Sequence, residues 1–410
     1  MAIPDSTRPV PHPRSAREMG IMQGFPPPPE KRPTLENWDL APFNRWSFQN
    51  IRGLFPTKDV RRGGPVAELE RDHQDVGGIR FAGPDGTRRS VAEALARTYA
   101  DGFLVCHRGR VVTEQYFNDM TPHSPHLSQS VAKSVVGTLA GVLQHEGLLD
   151  LDAPLPDIVP ELAACGYADA TLGQVLDMVS GVRFSEDYGA PDSDMTRIDV
   201  ASGWRPPRPG EDVPTIRDVI LTLPQDRPHG ASFSYRSIET DVVAWAIERA
   251  AGAPLAQVLS DRIWSRIGAE RDAFFTIDRA GTALADGGFN ATLRDYARFA
   301  LMIADGGRAG GTQVVPEAWV EASRQGDPAK FGGHYRERFP KGAYARQWWI
   351  LDAGRGDIMA RGVFGQLVYI DRETGFVAVL LSTWPDYLID AFSVEALGAV
   401  LAVRKALTGD

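Results

Sequence analysis

Lysine is scarce in this chain: it supplies only six of the 44 basic side chains, the rest being arginine. Cysteine is scarcer still. Cys106 and Cys165 are the only two, too few for a disulfide framework and in no metal-ligand spacing, so both read as small apolar residues. No stretch of 18 uncharged apolar residues occurs, which excludes a membrane-spanning helix, and the opening Met1-Ala-Ile-Pro4 lacks the apolar core of a secretory signal. A cytoplasmic protein is expected. A formal net charge of −9 without a dense Lys/Arg run argues against nucleic acid and anionic membranes as partners. Neither His-Glu-x-x-His nor Gly-x-Ser-x-Gly is present, so zinc peptidases and the α/β-hydrolase nucleophile elbow lose their support; no metal and no cofactor are expected.

What is present is a chain of 410 residues, 43% hydrophobic, long enough for two domains or one large domain with an insertion. Ten of its thirty prolines fall in residues 1–42, which therefore read as an extended arm over the surface. Residues 103–117 alternate into two strands turning at Arg108-Gly109, and residues 366–371 and 376–383 form a second hairpin around Arg372-Glu-Thr-Gly375. Helical periodicity runs through residues 131–147, 241–251, 255–267 and 293–303, the last opened by a Thr292-x-x-Asp295 cap, and a further helix starts near Ala391. A polar, acidic loop is expected over residues 185–199. Strands at both ends around a helical middle predict an α+β fold: a Pro-rich arm (1–42), a sheet domain (43–129 and 253–410) and a mainly helical inserted region (130–252).

Ser130-Val-Ala-Lys133 carries the first chemical signal. It places a hydroxyl and an amine one turn apart at the start of a helix, where the free N–H groups and the dipole favour negative charge. A serine hydroxyl attacks a carbonyl only when a base takes its proton, and lysine is a base only when neutral. Lowering a lysine pKa from about 10.4 to about 7 costs roughly 4 to 5 kcal/mol, so this reading predicts a buried Lys133. The plain alternative is a helix cap beside a snorkelling lysine.

A Ser–Lys pair also needs a group to hand the proton to the leaving atom and a second oxyanion donor. Phe233-Ser-Tyr235-Arg-Ser237 follows Gly230 and precedes a helix, where a loop can hold a phenol against the pair. Arg361-Gly-Val-Phe-Gly-Gln366 leads into a strand, and its glycines permit close approach of backbone N–H groups to a ligand. Each has a structural reading as well, a core tyrosine with its hydroxyl at the rim and a sheet-edge bulge.

Taken together these segments resemble a known family. Ser130-Val-Ala-Lys133, Gly147-Leu-Leu-Asp-Leu-Asp-Ala-Pro154, residues 171–181, Phe233-Ser-Tyr-Arg-Ser237, Gly287-Gly-Phe-Asn-Ala-Thr292 and Gly362-Val-Phe-Gly-Gln366 occur in the order seen in serine β-lactamase-related hydrolases, which include penicillin-binding proteins and family VIII esterases. Asn44-Arg-Trp-Ser-Phe48, Glu186-Asp-Tyr188, Ser202-Gly-Trp204, Thr240-Asp-Val242 and Arg346-Gln-Trp-Trp349 resemble the 6-aminohexanoate-dimer hydrolase branch. The resemblance implies a β-lactamase-like antiparallel sheet flanked by helices, with Ser130 acylated, Lys133 its base or relay and Tyr235 the shuttle to the leaving group. It further implies an oxyanion hole from the N–H groups of Ser130 and Val363, or of Phe364 if the alignment slips by one.

Substrate-binding roles implied in the same way fall on Tyr188, on Asp199 as a carboxylate for a substrate ammonium, and on Phe364 and Gln366 in the pocket wall. At most one of Trp348 and Trp349 lines the pocket, because neighbours on a strand face opposite ways. Two departures stand out. Ala360-Arg361-Gly362 lacks the lysine of the Lys-Thr-Gly motif, and the branch's His-Gly-Gln is Phe364-Gly-Gln366 here. The expected protein is a serine hydrolase acting through an acyl-enzyme on short carboxylic esters and small linear amides, with a small-molecule substrate as its partner; the resemblance suggests a homodimer. The alternatives are a D-amino-acid peptidase or β-lactam hydrolase, and a sensor module acylated without turnover.

Overall fold

The computed structural model describes residues 13–410, so residues 1–12 of the expected arm lie outside the described residues. A seven-stranded sheet forms the centre. Its strands run Ala343–Ala345, Trp348–Asp352, Asp357–Gly362, Gln366–Asp371, Phe376–Ser382, Ala100–His107 and Arg110–Tyr116 in spatial order, each antiparallel to its neighbours. Pairing of Phe376–Ser382 with Ala100–His107 joins the C-terminal hairpin to the early one. Arg108 and Gly109 both have positive φ, as a tight hairpin turn requires.

Alternation sorts the side chains to two faces. Leu104, Cys106, Ile358, Ala360, Val368, Ile370, Val377 and Val379 pack into one core with the helices Val131–His145, Ile238–Ala251 and Leu293–Ala304. Phe103, Val105, Met359, Tyr369, Phe376 and Ala378 face a second core built on the helices Val91–Arg97 and Asp390–Thr408. This is the expected α+β arrangement of an antiparallel sheet flanked by helices.

A second sheet, absent from the sequence reading, is the one that positions the site. Thr57–Val60, Ala273–Thr276, Phe289–Thr292 and Pro125–Leu127 pair antiparallel in that order. Its last two members set Leu127 opposite Asn290, and the Ser128 N–H donates to the Phe289 carbonyl at 2.8 Å. The turn before Ser130 and the turn around Asp286 are thereby held side by side. The expected acidic loop is also shorter than anticipated: Asp194–Ala201 is helical, capped by the Ser193 hydroxyl, which accepts from the Thr196 N–H. Among the described residues no helix is long and apolar enough to cross a membrane.

Candidate active site

Ser130 sits at the N-terminus of Val131–His145, but its hydroxyl makes no capping bond, which sets aside the plain cap reading. Gln129 before it has a φ of 48°, a left-handed conformation that non-glycine residues seldom adopt and that turns the chain sharply from strand into helix. Gly362 approaches this turn so closely that a Cβ there would lie 2.6 Å from the Ser128 carbonyl oxygen. Glycine at 362 thus serves contact with the protein's own backbone. The Ser130 N–H has no acceptor among the described residues.

Lys133 is 1% exposed. Its Nζ donates to Ser130 Oγ at 2.9 Å and to the Asp286 carbonyl at 2.7 Å, with Asp286 Oδ2 at 3.9 Å. The Tyr235 ring lies beside the pair, its centroid 5.3 Å from Nζ, and Lys133 and Ser130 both act to lower the pKa of its phenol. The Ser130–Lys133 pair and Tyr235, singled out from two separate stretches of sequence, therefore meet in one cluster.

The electrostatics depart from the sequence argument. Burial works against charge on Lys133, but Tyr235, Asp286, Glu186 and Asp241 face it and outweigh burial, so its pKa lies above the ordinary lysine value. The resting side chain is an ammonium at neutral pH, where the sequence argument asked for a neutral amine. Burial pushes the Tyr235 phenol up as well; Glu186 adds to the rise while Lys133 opposes it. Behind the lysine, burial raises the Asp241 carboxyl well above the carboxylate range with help from Asp286, although Asp241 Oδ1 accepts the Ala285 N–H at 2.9 Å. Burial raises Asp286 too, against the pull of Lys133.

Glu186 is, with Asp241 and Asp286, one of three carboxyl groups that sequence reasoning passed over as site residues. Its carboxylate accepts the Ser237 N–H at 2.7 Å, the Ser237 hydroxyl and the Tyr188 hydroxyl at 2.8 Å, which ties the loop at 186–188 to the end of the Tyr235 segment. The one available signal was its place in Glu186-Asp-Tyr188, quoted for resemblance and given no role. Asp241, inside Thr240-Asp-Val242, was passed over in the same way.

Ser130 and Tyr235 open into a cavity of about 610 Å³, also lined by Glu186, Tyr188, Trp349, Arg361, Val363 and Gln366. The other expected residues stand as follows. Tyr188 presents its ring beside Tyr387, at 5.2 Å between centroids. Gln366 lines the wall, but its amide is taken up by the Ser382 backbone, donating to the carbonyl at 2.7 Å and accepting the N–H at 3.2 Å. Phe364 is not among the lining residues; its ring packs edge-on against Phe48, and its N–H donates to the Tyr387 carbonyl at 2.9 Å, leaving Val363 as the candidate second oxyanion donor. Asp199 likewise lies outside the lining, half-buried on the Asp194–Ala201 helix, where burial lifts its pKa to about 7 against the influence of Arg205. Of the two tryptophans, Trp349 stacks on Tyr235 at 5.3 Å, while Trp348 is buried on the opposite face against Phe299.

The beta-lactamase family model matches residues 84–398. A 6-aminohexanoate-dimer hydrolase of Paenarthrobacter ureafaciens is 37% identical over 377 residues, covering 92% of this chain and 94% of its own. A solved structure from Bacillus anthracis, assigned to the 6-aminohexanoate-dimer hydrolases, superposes with a TM-score of 0.86 at 28% identity, over 93% of this chain and 98% of that one. A family VIII carboxylesterase shares the fold, with a TM-score of 0.57 at 17% identity over 76% of this chain and 96% of its own. With a family match across most of its length, the chain belongs to the beta-lactamase family and is one of its serine hydrolases.

Proposed function

We propose that this enzyme hydrolyses short carboxylic esters and small linear amides, including those of the 6-aminohexanoate-oligomer type named for its relative, by transient acylation of Ser130. The observation that carries the reading is the 2.9 Å contact between Lys133 Nζ and Ser130 Oγ, with the Tyr235 ring centroid 5.3 Å from Nζ, at the edge of an open cavity. Ser130 Oγ bonds to the substrate carbonyl carbon while its proton passes into the Tyr235–Lys133 pair. The N–H groups of Ser130 and Val363 hold the oxyanion. Tyr235 then protonates the departing oxygen or nitrogen as the C–O or C–N bond breaks, and water repeats the sequence to release the acid.

Because both members of the pair have raised pKa values, the active form is the pair that has lost one proton, whichever atom it leaves from. Activity therefore rises with pH as that first proton is lost. The test is a panel of p-nitrophenyl esters, 6-aminohexanoate linear dimer, nitrocefin and D-alanyl peptides, run on the natural chain and on Ser130→Ala. Ester and linear-amide turnover that disappears in Ser130→Ala, with the thermal melt preserved, is expected. Turnover retained by the variant refutes the nucleophile, and cleavage confined to nitrocefin or D-alanyl peptides refutes the substrate class.

A further inference from the structure

Phe364 stands next to the candidate donor Val363 with a φ of 61° and a ψ of 15°, left-handed backbone that a residue with a bulky side chain avoids unless its surroundings impose it. Its turn, Val363–Gly365, joins two strands of the seven-stranded sheet beyond the pair Gly362 and Gln366. Two hydrogen bonds lock the Phe364 backbone: its N–H donates to the Tyr387 carbonyl at 2.9 Å, and its carbonyl accepts the Trp384 N–H at 3.2 Å. On the other side Gly362 is pressed against the Ser128 carbonyl. Between these two fixed residues Val363 lines the cavity, and its N–H meets no backbone acceptor among the described residues.

The Phe364 ring is held as firmly as its backbone. It is 5% exposed and stands edge-on to Phe48, at 5.2 Å between centroids and 86° between planes. Phe48 is fully buried and follows the short helix Asn44–Ser47, its N–H donating to the Asn44 carbonyl at 3.1 Å. Asn44 Nδ2 in turn donates to the Trp384 carbonyl at 2.7 Å, which ties this helix to the segment that holds Phe364. Phe48 also reaches the other donor. Its carbonyl accepts the Leu127 N–H at 2.9 Å, three residues before Ser130, and its ring lies edge-on to His126 at 5.8 Å.

Two N–H groups form an oxyanion hole only when both point at the place the oxyanion will occupy. Here they come from different sheets, since Leu127 leads to Ser130 from the four-stranded sheet and Gly362 leads to Val363 from the seven-stranded one. Register within either sheet does not fix the distance between them. Packing across the gap does, through Gly362 against Ser128 and through Phe48 against both Phe364 and Leu127. Phe48 itself is not among the residues lining the cavity, so it acts on the reaction only through those neighbours.

We propose that Phe48 is a positioning residue for the oxyanion hole, its ring keeping Phe364 left-handed so that the Val363 N–H and the Ser130 N–H converge on the reacting carbonyl. The proposal rests on the acyl-enzyme reading with those two donors and adds the residue that sets their spacing.

Its test compares p-nitrophenyl acetate with its thiono analogue, in which the carbonyl oxygen is replaced by sulfur, a weak acceptor that gains little from fixed N–H donors. For both esters kcat and KM are measured on the natural enzyme, Phe48→Ala, Phe364→Gly and the double variant, at a temperature where circular dichroism shows full folding. The oxygen-to-sulfur ratio of kcat/KM is expected to fall about tenfold in Phe48→Ala, part of the hundredfold or more that loss of a whole donor costs, with the change in kcat rather than KM. Phe364→Gly adopts the left-handed backbone freely but offers no ring to hold, so its ratio should fall as well, and the double variant should be no worse than the worse single. A ratio that stays unchanged while both esters slow together shows a purely structural role and overturns the proposal, as do losses that add in the double variant. Should Phe48→Ala fail to fold, Phe48→Leu and Phe364→Gly decide by the same ratio. Ser130→Ala separates the readings: turnover by that variant defeats the nucleophile, whereas an inactive Ser130→Ala beside an unchanged ratio in Phe48→Ala defeats the positioning role alone.

Discussion

Lys133 Nζ carries three donors, and the structure directs two of them at the Ser130 hydroxyl and the Asp286 carbonyl, with the Asp286 carboxylate at the far side. A nearby carboxylate opposes loss of a proton from the Tyr235–Lys133 pair, by about one to three pKa units at such separations. In Asp286→Asn that opposition disappears, so the pair loses its first proton more easily. The rising limb of kcat/KM for p-nitrophenyl acetate should then move to lower pH by about one unit. A limb that stays in place, or moves to higher pH, removes Asp286 from this role. Glu186 makes a second residue-scale prediction. Glu186→Ala strips acceptors from the Ser237 N–H and from two hydroxyls, and losing hydrogen bonds to a carboxylate costs about 1.5 to 3 kcal/mol. The denaturant midpoint should fall accordingly, and kcat should fall further than KM changes because Tyr235 sits two residues from Ser237. At this scale Ser130, Lys133 and Tyr235 were legible because their chemistry is tied to spacing and residue type. Glu186, Asp241 and Asp286 were not, because a carboxylate in a sequence shows neither its burial nor what it faces.

Helices were legible wherever one apolar face repeats, as in Val131–His145 and Leu293–Ala304, and hairpins wherever a turn residue interrupts alternation. The four-stranded sheet was hidden because Ala273–Thr276 and Phe289–Thr292 are buried on both faces and only four residues long, which leaves no period to read. Helix packing adds a constraint that periodicity does not show. Gly137 lies on Val131–His145 where a Cβ would come within 2.6 Å of both the Arg346 carbonyl oxygen and Gln347 Cβ. That segment is itself pinned: Arg346 and Gln347 have positive φ, Ser134 Oγ donates to the Gln347 carbonyl at 2.7 Å, and Thr240 Oγ1 donates to the Gln347 side chain at 2.8 Å. Alanine is the better helix former by up to about 1 kcal/mol, whereas overpacking costs about 1 to 3 kcal/mol. Since backbone is the obstacle, the clash wins, and Gly137→Ala should lower the urea midpoint. A raised midpoint would mean that the Arg346–Gln347 segment yields.

Across the whole molecule, the α+β arrangement followed from strands at both ends of the chain, but the contribution of the proline-rich arm did not, because proline content gives an extended backbone without saying where it docks. Trp38 from this arm is fully buried against Phe48, Phe55 and Trp204, and its indole N–H donates to the Trp204 carbonyl at 2.9 Å. The Trp204 ring in turn backs onto Gly287, where a Cβ would meet it at 3.7 Å, and Gly287 follows the Asp286 carbonyl that holds Lys133. A path of packed atoms thus joins residues near the start of the chain to Lys133. Removing the indole in Trp38→Ala should cost about 3 to 5 kcal/mol, within the 5 to 15 kcal/mol typical of folded proteins, so the variant remains folded at low temperature. If the packing of Trp204 holds the Asp286 turn in register, kcat for p-nitrophenyl acetate should drop at least threefold at a temperature where circular dichroism shows full folding. A destabilised variant that keeps its full kcat would show that the arm stabilises the fold without reaching the site.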